Sequence, residues 1–298
     1  MKIVSWNINS LRLRLPLLKK FVKLANPDVI CLQEIKVSDE FFPLLEVKAL
    51  GFEYVEFSGE KSYNGVAILS KFPLKNIQKI DVLGYGHKRH ISAEVELGGK
   101  KIEIHNFYIP AGGDEADVNI NPKFDHKLKF LDWMKDYFGK EMDCHDLPSK
   151  SRNDEEINSD VIASVSEAIH KQESKTNKRI IILGDFNIAP LEHDVWSHKK
   201  LLKVISHTPI EVEKLDKIQK SLNFIDTHRH FMDETKKLYS WWSYRGKEPL
   251  VSDKGRRLDH IWATPNLKEN IKEMEIFKDF RIEESPSDHV PILTKFTF

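Results

Sequence analysis

Residues 179–190 read RIIILGDFNIAP. Ile180, Ile181, Ile182 and Leu183 form a continuous aliphatic run, largely β-branched, the pattern of a strand buried on both faces. Gly184 is expected to break that strand, leaving Asp185 and Asn187 where the backbone departs from the sheet. Proteins that alternate strands and helices place chemistry at such strand ends. The i, i+2 spacing aims a carboxylate and an amide into one cleft and turns Phe186 away from it. An Asp–Asn turn after a core strand would read the same, since both residues favour turns. Partners elsewhere in the chain decide between the two.

With 298 residues and 40% hydrophobic content, the chain can bury one large core or two small ones. Its 46 basic residues balance 46 acidic ones, so any footprint for a polyanion must be local. Two cysteines, Cys31 and Cys144, make neither a disulfide framework nor a metal cluster, and Cys31 lies in an apolar run expected to be core. The N-terminal MKIVSWNINS has no long apolar core, and no segment approaches about 18 apolar residues. A soluble, cytoplasmic protein with no membrane association is expected.

Lys2–Trp6 reads as a strand that ends in Asn7 and Asn9. Pro16–Ala25 reads as an amphipathic helix with Leu17, Leu18, Phe21 and Val22 on its apolar stripe. Val29–Gln33 is a second buried strand, followed by Glu34. An ionised Glu at such a strand end needs compensation. A salt bridge to Lys36 would supply it, and so would a hard cation such as Mg²⁺. Asn7 and Glu34 converge if their strands are neighbours. Further on, Tyr63–Leu69 turns into a strand. Ser92–Leu97 and Lys101–Phe107 flank Gly98–Gly99 as a hairpin, and the second of them runs into Tyr108. Tyr108 reads as a half-buried aromatic or as a donor to a phosphate. Phe124–Tyr137 has helical spacing. From about Gly139 to Lys178 the pattern weakens, which reads as a peripheral insert with a helix over Val161–Lys171 and no chemistry in His145 or His170.

After a helix over Pro209–Phe224, residues 239–264 carry YSWWSYRG and RRLDHIWAT. Arg245, Lys247, Lys254, Arg256 and Arg257 interleave there with aromatics, as a nucleic-acid backbone and an unstacked nucleotide require. At least one of Trp241 and Trp242 should be core. Asp259 lies within a strand over Leu258–Ala263, and Ser287–Asp288–His289 leads into a terminal strand over Val290–Phe296. An Asp in one strand beside a His from another can fix the imidazole in one tautomer. No nucleophile elbow and no phosphate-cradling glycine loop is visible. Carboxylates, amides and one His without a covalent nucleophile suit metal-assisted hydrolysis of a phosphate ester.

The blocks KIVSWNINSLR, LQEIK, NGVAILS, NFYIPAGG, GDFNIAP, YSWWSYR, RLDHIW and SDHVPI, in this order, resemble the exonuclease III family of abasic-site endonucleases. That family lies within the endonuclease/exonuclease/phosphatase superfamily. The resemblance implies one α/β domain over 1–298, a four-layer α/β sandwich of two mixed β-sheets packed face to face with helices outside. It implies a monomeric, DNA-associated nuclease acting on double-stranded DNA at abasic sites and 3′ ends, with Mg²⁺ as cofactor and Mn²⁺ able to substitute. It makes Glu34 the main metal ligand, with Asn7 and Asp288 at the same site, and Asp185 the group that orients and deprotonates water. Asn187 would bond the scissile phosphate, Tyr108 would touch that phosphate or help the leaving group, and His289, held by Asp259, would face the non-bridging oxygens. Asp185, Asn187 and His289 would ligate a second metal, if there is one. Ala111 stands where many relatives carry Asn or Gln, and Arg256 where some carry Trp. The pocket for a base-less sugar then rests on Trp241 and Leu258, with Arg245, Lys254, Arg256 and Arg257 around it on DNA phosphates.

Overall fold

The computed structural model describes residues 1–143, 178–244 and 253–298, and there the chain builds two six-stranded sheets. Each sheet has a parallel pair at its centre. In the first it is β1 (Lys2–Asn7) beside β2 (Val29–Gln33), joined through α1 (Leu15–Ala25). Pro16 suits the first turn of α1 because its fixed φ is helical, and Asn26 closes the helix in the left-handed conformation. With β3 (Tyr54–Ser58), β4 (Val66–Ser70), β13 (Ile271–Ile276) and β14 (Ile292–Phe296), the order is β13-β14-β1-β2-β4-β3.

In the second sheet the parallel pair is β7 (Lys100–Tyr108) beside β8 (Arg179–Asp185). With β5 (Lys75–Gln78), β6 (His90–Leu97), β9 (Ile225–Asp226) and β12 (Asp259–Ala263), the order is β5-β6-β7-β8-β12-β9. A two-stranded ribbon, β10 (Trp241–Trp242) against β11 (Gly255–Arg256), sits apart. Among the described residues, the α-helices other than α1 are α2 (Leu44–Lys48), α3 (Pro122–Asp143), α4 (His198–Leu201) and α5 (Pro209–Ser221).

Side-chain alternation along the strands makes the layers. Ile181 and Leu183 of β8 face inward and meet Ile3, Val29, Cys31 and Ile68 of the first sheet. Ile180 and Ile182 face outward under Phe124, Leu131 and Met134 of α3 and Leu215 and Ile218 of α5. Val4, Trp6, Ile30 and Leu32 are covered in the same way by Leu18 and Phe21 of α1. The expected four-layer α/β sandwich is therefore present, and a run as apolar as IIIL is possible because β8 is covered twice.

Two details differ from the sequence reading. Gly184 does not end β8 but lies within it, at φ +142° opposite Phe107; a Cβ there would come within 1.9 Å of the Phe107 carbonyl oxygen, so only glycine allows the strand to continue to Asp185. α3 runs to Asp143, past the point where the insert was expected to start. The rest of that expected insert, its helix over 161–171, Cys144, His145, His170, Arg245 and Lys247 lie outside the described residues. Among the described residues, no helix is long and apolar enough to cross a membrane.

Candidate active site

The two parallel pairs end at the same edge of the sandwich, and hydrogen bonds join them across the sheets. Asn7 closes β1, and Glu34 follows β2 with a left-handed φ of 50°. Tyr108 and Asp185 are register partners at the ends of β7 and β8, and Asp259 pairs with Asp185 from the other side. Asn7 Nδ2 donates to Glu34 Oε1 and to Asp185 Oδ2, both at 2.9 Å. Tyr108 Oη donates to Glu34 Oε1 at 2.7 Å. Asn187, at a left-handed φ of 53°, donates its backbone N–H to Asp185 Oδ1 (2.9 Å) and its side-chain amide to Asp185 Oδ2 (3.1 Å). Non-glycine residues in that conformation cluster at functional sites.

His289 arrives from the segment before β14. Its Nδ1 lies 2.8 Å from Asp259 Oδ2 and its Nε2 3.6 Å from Asp185 Oδ2. Ser240 Oγ donates to the same Asp259 oxygen at 2.6 Å. Burial opposes a charge on His289, yet the carboxylates of Asp259 and Asp185 push its pKa up to about 10, so it is an imidazolium at neutral pH. Burial drives the Asp185 carboxyl up to about 7, with His289 opposing and Asp259 reinforcing. A group with that pKa is matched to proton transfer near neutrality. Glu34 behaves oppositely: burial resists its ionisation, but the Lys36 ammonium and the hydrogen bonds from Asn7, Lys36 and Tyr108 hold it below the usual carboxylate range. Tyr108 stays protonated, because burial and the neighbouring Glu34 carboxylate keep its pKa well above the ordinary tyrosine value. It is therefore a donor and not a nucleophile.

The residues suit a hard cation. Asp185 and Asp259, with His289 whenever its ring is neutral, each offer one ligand atom, all within 4.8 Å of one another. Asp259 Oδ1 is buried with no hydrogen-bond partner. Carboxylate oxygens dominate the donor set, as divalent cations of this kind require. Of the two partners the sequence left open for Glu34, the structure supplies the salt bridge, with Oε2 2.7 Å from Lys36 Nζ, while Oε1 accepts from Asn7 and Tyr108. Asp288 stands slightly apart. Asn9 Nδ2 donates to its Oδ1 and Trp241 Nε1 to its Oδ2, each at 3.0 Å.

The expected DNA-contacting residues separate. Trp241 is half-buried, with the Arg256 guanidinium 5.2 Å above its ring, while Trp242 is core. Leu258 is buried under Trp241 beside Val195 and Leu201, and Lys254 lies 5.2 Å from the ring of Trp196. Arg257 is a correction. Only 3% exposed, it bonds Asp194 and Asp226 through Nε (2.9 Å) and Nη1 (2.6 Å) and cannot reach a DNA phosphate. Sequence reasoning missed Ser240, which holds Asp259, and Arg89, whose guanidinium lies 4.6 Å from the Tyr108 ring. It also missed Lys127, visible only as a cation on the apolar stripe of α3.

Comparison with known proteins agrees with this geometry. The family described as Endonuclease/Exonuclease/phosphatase matches residues 4–289. An exodeoxyribonuclease III of Haemophilus influenzae is 30% identical over 99% of this chain and all of its own. Among solved structures, an AP endonuclease from Archaeoglobus fulgidus superposes with a TM-score of 0.80 at 28% identity, covering 100% of both chains. A 3′ phosphatase from Neisseria bound to a product DNA hairpin gives 0.80 at 26% identity, again with both chains fully covered.

Proposed function

The chain belongs to the endonuclease/exonuclease/phosphatase family, and from that premise we infer that it is a metal-dependent DNA repair nuclease. It hydrolyses the phosphodiester 5′ to abasic sites and removes nucleotides or blocking groups from DNA 3′ ends. Mg²⁺ is the proposed cofactor and double-stranded DNA the substrate. What carries this reading is one convergence: Asn7, Glu34 and His289 from one sheet meet Tyr108, Asp185 and Asp259 from the other at a single edge.

Glu34 would hold the metal, with Asn7 and Asp288 beside it; Asp185 and Asn187 would be donors for a second ion, which His289 would join only as a neutral imidazole. Bound there, the ion supplies Lewis-acid charge to the phosphate oxygens. Asp185 orients a water and takes its proton as the water oxygen bonds to phosphorus. The bond from phosphorus to the 3′ oxygen breaks, and that oxygen leaves as a hydroxyl, with Tyr108 as its proton donor. The His289 imidazolium faces the non-bridging oxygens, where charge grows. The Asn187 amide bonds the same phosphate.

The test is cleavage of a duplex carrying one abasic analogue beside an intact duplex, with Mg²⁺. Incision at the analogue, shortening from 3′ ends, and loss of both in Asp185→Asn are expected. Absence of both activities in the wild type, or hydrolysis of lipid head groups instead, would refute the reading.

A further inference from the structure

Behind the active-site edge lies a charged pair that the mechanism above does not use. Lys127 sits on α3 between Phe124 and Leu131, and its side chain is wholly buried. Its ammonium meets three acceptors: the carbonyl oxygen of Asn187 at 2.8 Å, that of Ala111 at 3.3 Å, and Oε1 of Glu211 at 2.5 Å. These match its three N–H donors. Asn187 follows β8 and Ala111 follows β7, so one ammonium ties together the two loops that leave the central parallel pair.

Glu211 is just as buried and anchors the far side of the same loop. It accepts from the backbone N–H of Ser206 (2.9 Å) and Thr208 (3.1 Å) and from Thr208 Oγ1 (2.6 Å). The Ser206 carbonyl in turn accepts the N–H of Ala189, two residues beyond Asn187. The lysine stem is closely packed, since a Cβ on Gly112 would come within 3.0 Å of Lys127 Cδ. Stability gives no reason for such a pair, because a buried ion pair is often no better than apolar residues of the same volume.

We propose that Lys127, neutralised by Glu211, is a positioning residue for Asn187. It fixes the tilt of the Asn187–Ile188 peptide beyond the left-handed Asn187, and through it the place of a side-chain amide whose Nδ2 donates to the Ile109 carbonyl (2.9 Å) and to Asp185 Oδ2 (3.1 Å). The kinetic consequence rests on the nuclease reading given above; the structural one does not.

The test uses Lys127→Met/Glu211→Gln, which removes both charges but leaves an acceptor for the loop N–H groups. kcat on DNA 3′ ends should fall about 10- to 100-fold with KM within about twofold, as when a supporting contact behind an active site is lost. Adding Asn187→Ala should cost nothing beyond what Asn187→Ala costs alone. In protein labelled with ¹⁵N-asparagine, the side-chain amide signal that disappears in Asn187→Ala should shift in the charge-free variant. An unshifted signal, wild-type kcat, or losses that add to those of Asn187→Ala overturn the proposal. If the charge-free variant does not fold, Lys127→Gln/Glu211→Gln keeps two donors and should show an intermediate shift and loss. A wild type without nuclease activity refutes the nuclease reading and leaves the amide signal to decide the positioning.

Discussion

His289 Nδ1 lies 2.8 Å from Asp259 Oδ2, although the first precedes a strand of one sheet and the second opens a strand of the other. The contact does two things at once. It turns Nε2 toward Asp185, and it keeps the ring charged through the neutral range. Asp259→Asn keeps the shape and removes the charge. We expect kcat to fall about 10- to 100-fold while duplex affinity changes little, because the pair acts on charge that grows during reaction. Single-turnover cleavage set beside an anisotropy titration checks this, and a wild-type rate would remove the pair from the mechanism.

Asp185 makes a prediction about stability. Its pKa is raised by burial from 3.8 to about 7. A carboxyl raised on folding stabilises the fold while it is protonated. That contribution is complete below 3.8 and is lost as pH rises through about 7. Above that pH the ionised, buried group costs the metal-free fold stability. In excess chelator Asp185→Asn should melt above the wild type at about pH 8, with the gap closing toward about pH 4. Melting curves across that range decide it; a gap that widens on acidification would reverse the assignment.

Glu34 is held ionised, with one oxygen toward Asn7 and Tyr108 and the other on Lys36. Glu34→Gln should lower cleavage by orders of magnitude, and raised Mg²⁺ should restore part of it. Calorimetric titration of the metal should weaken in parallel. Full wild-type activity in excess chelator would sink the assignment.

The sequence disclosed what was buried on both faces and little of what was not. β2, β4 and β8 announce themselves as aliphatic runs and β7 through the Gly98–Gly99 hairpin signal, and site residues stand at the ends of β1, β2, β7, β8 and β12. β5 and β13 went unread because one is wholly exposed and the other alternates charges with apolar residues at a sheet edge. The Asp259–His289 partnership was legible because both residues sit beside recognisable strands. Lys127 was not, because its partners lie on loops that only the fold brings to α3. Arg256 and Arg257 show the limit most sharply. Adjacent in sequence, they part at the end of β11: one goes to the Trp241 ring and the other into the protein, toward acids 31 and 63 residues away.

That parting sets the last prediction, on how abasic DNA is told from intact DNA. Metal-assisted hydrolysis does not discriminate; a pocket that admits a sugar without its base does. Trp241 is the half-buried wall available for it, fixed by its Nε1 on Asp288 and backed by Leu258. Losing a buried apolar contact costs roughly 1.5–3 kcal/mol, so Trp241→Ala should lower the ratio of abasic-site cleavage to 3′-end degradation by about ten- to a hundredfold. Arg256→Ala removes a cation beside that wall and should weaken all duplexes alike, reducing the salt dependence of binding by about one unit of slope. Arg257→Ala should do neither. It leaves buried Asp226 without its guanidinium and Asp194 with Arg229 alone, at a cost of about 3–5 kcal/mol, so stability falls before any DNA contact is lost. Both cleavage activities and the melting temperature, measured for the three variants, separate these roles. A Trp241→Ala variant with an unchanged ratio would place the sugar pocket elsewhere, and an Arg257→Ala variant of wild-type stability with a reduced salt slope would return Arg257 to the DNA.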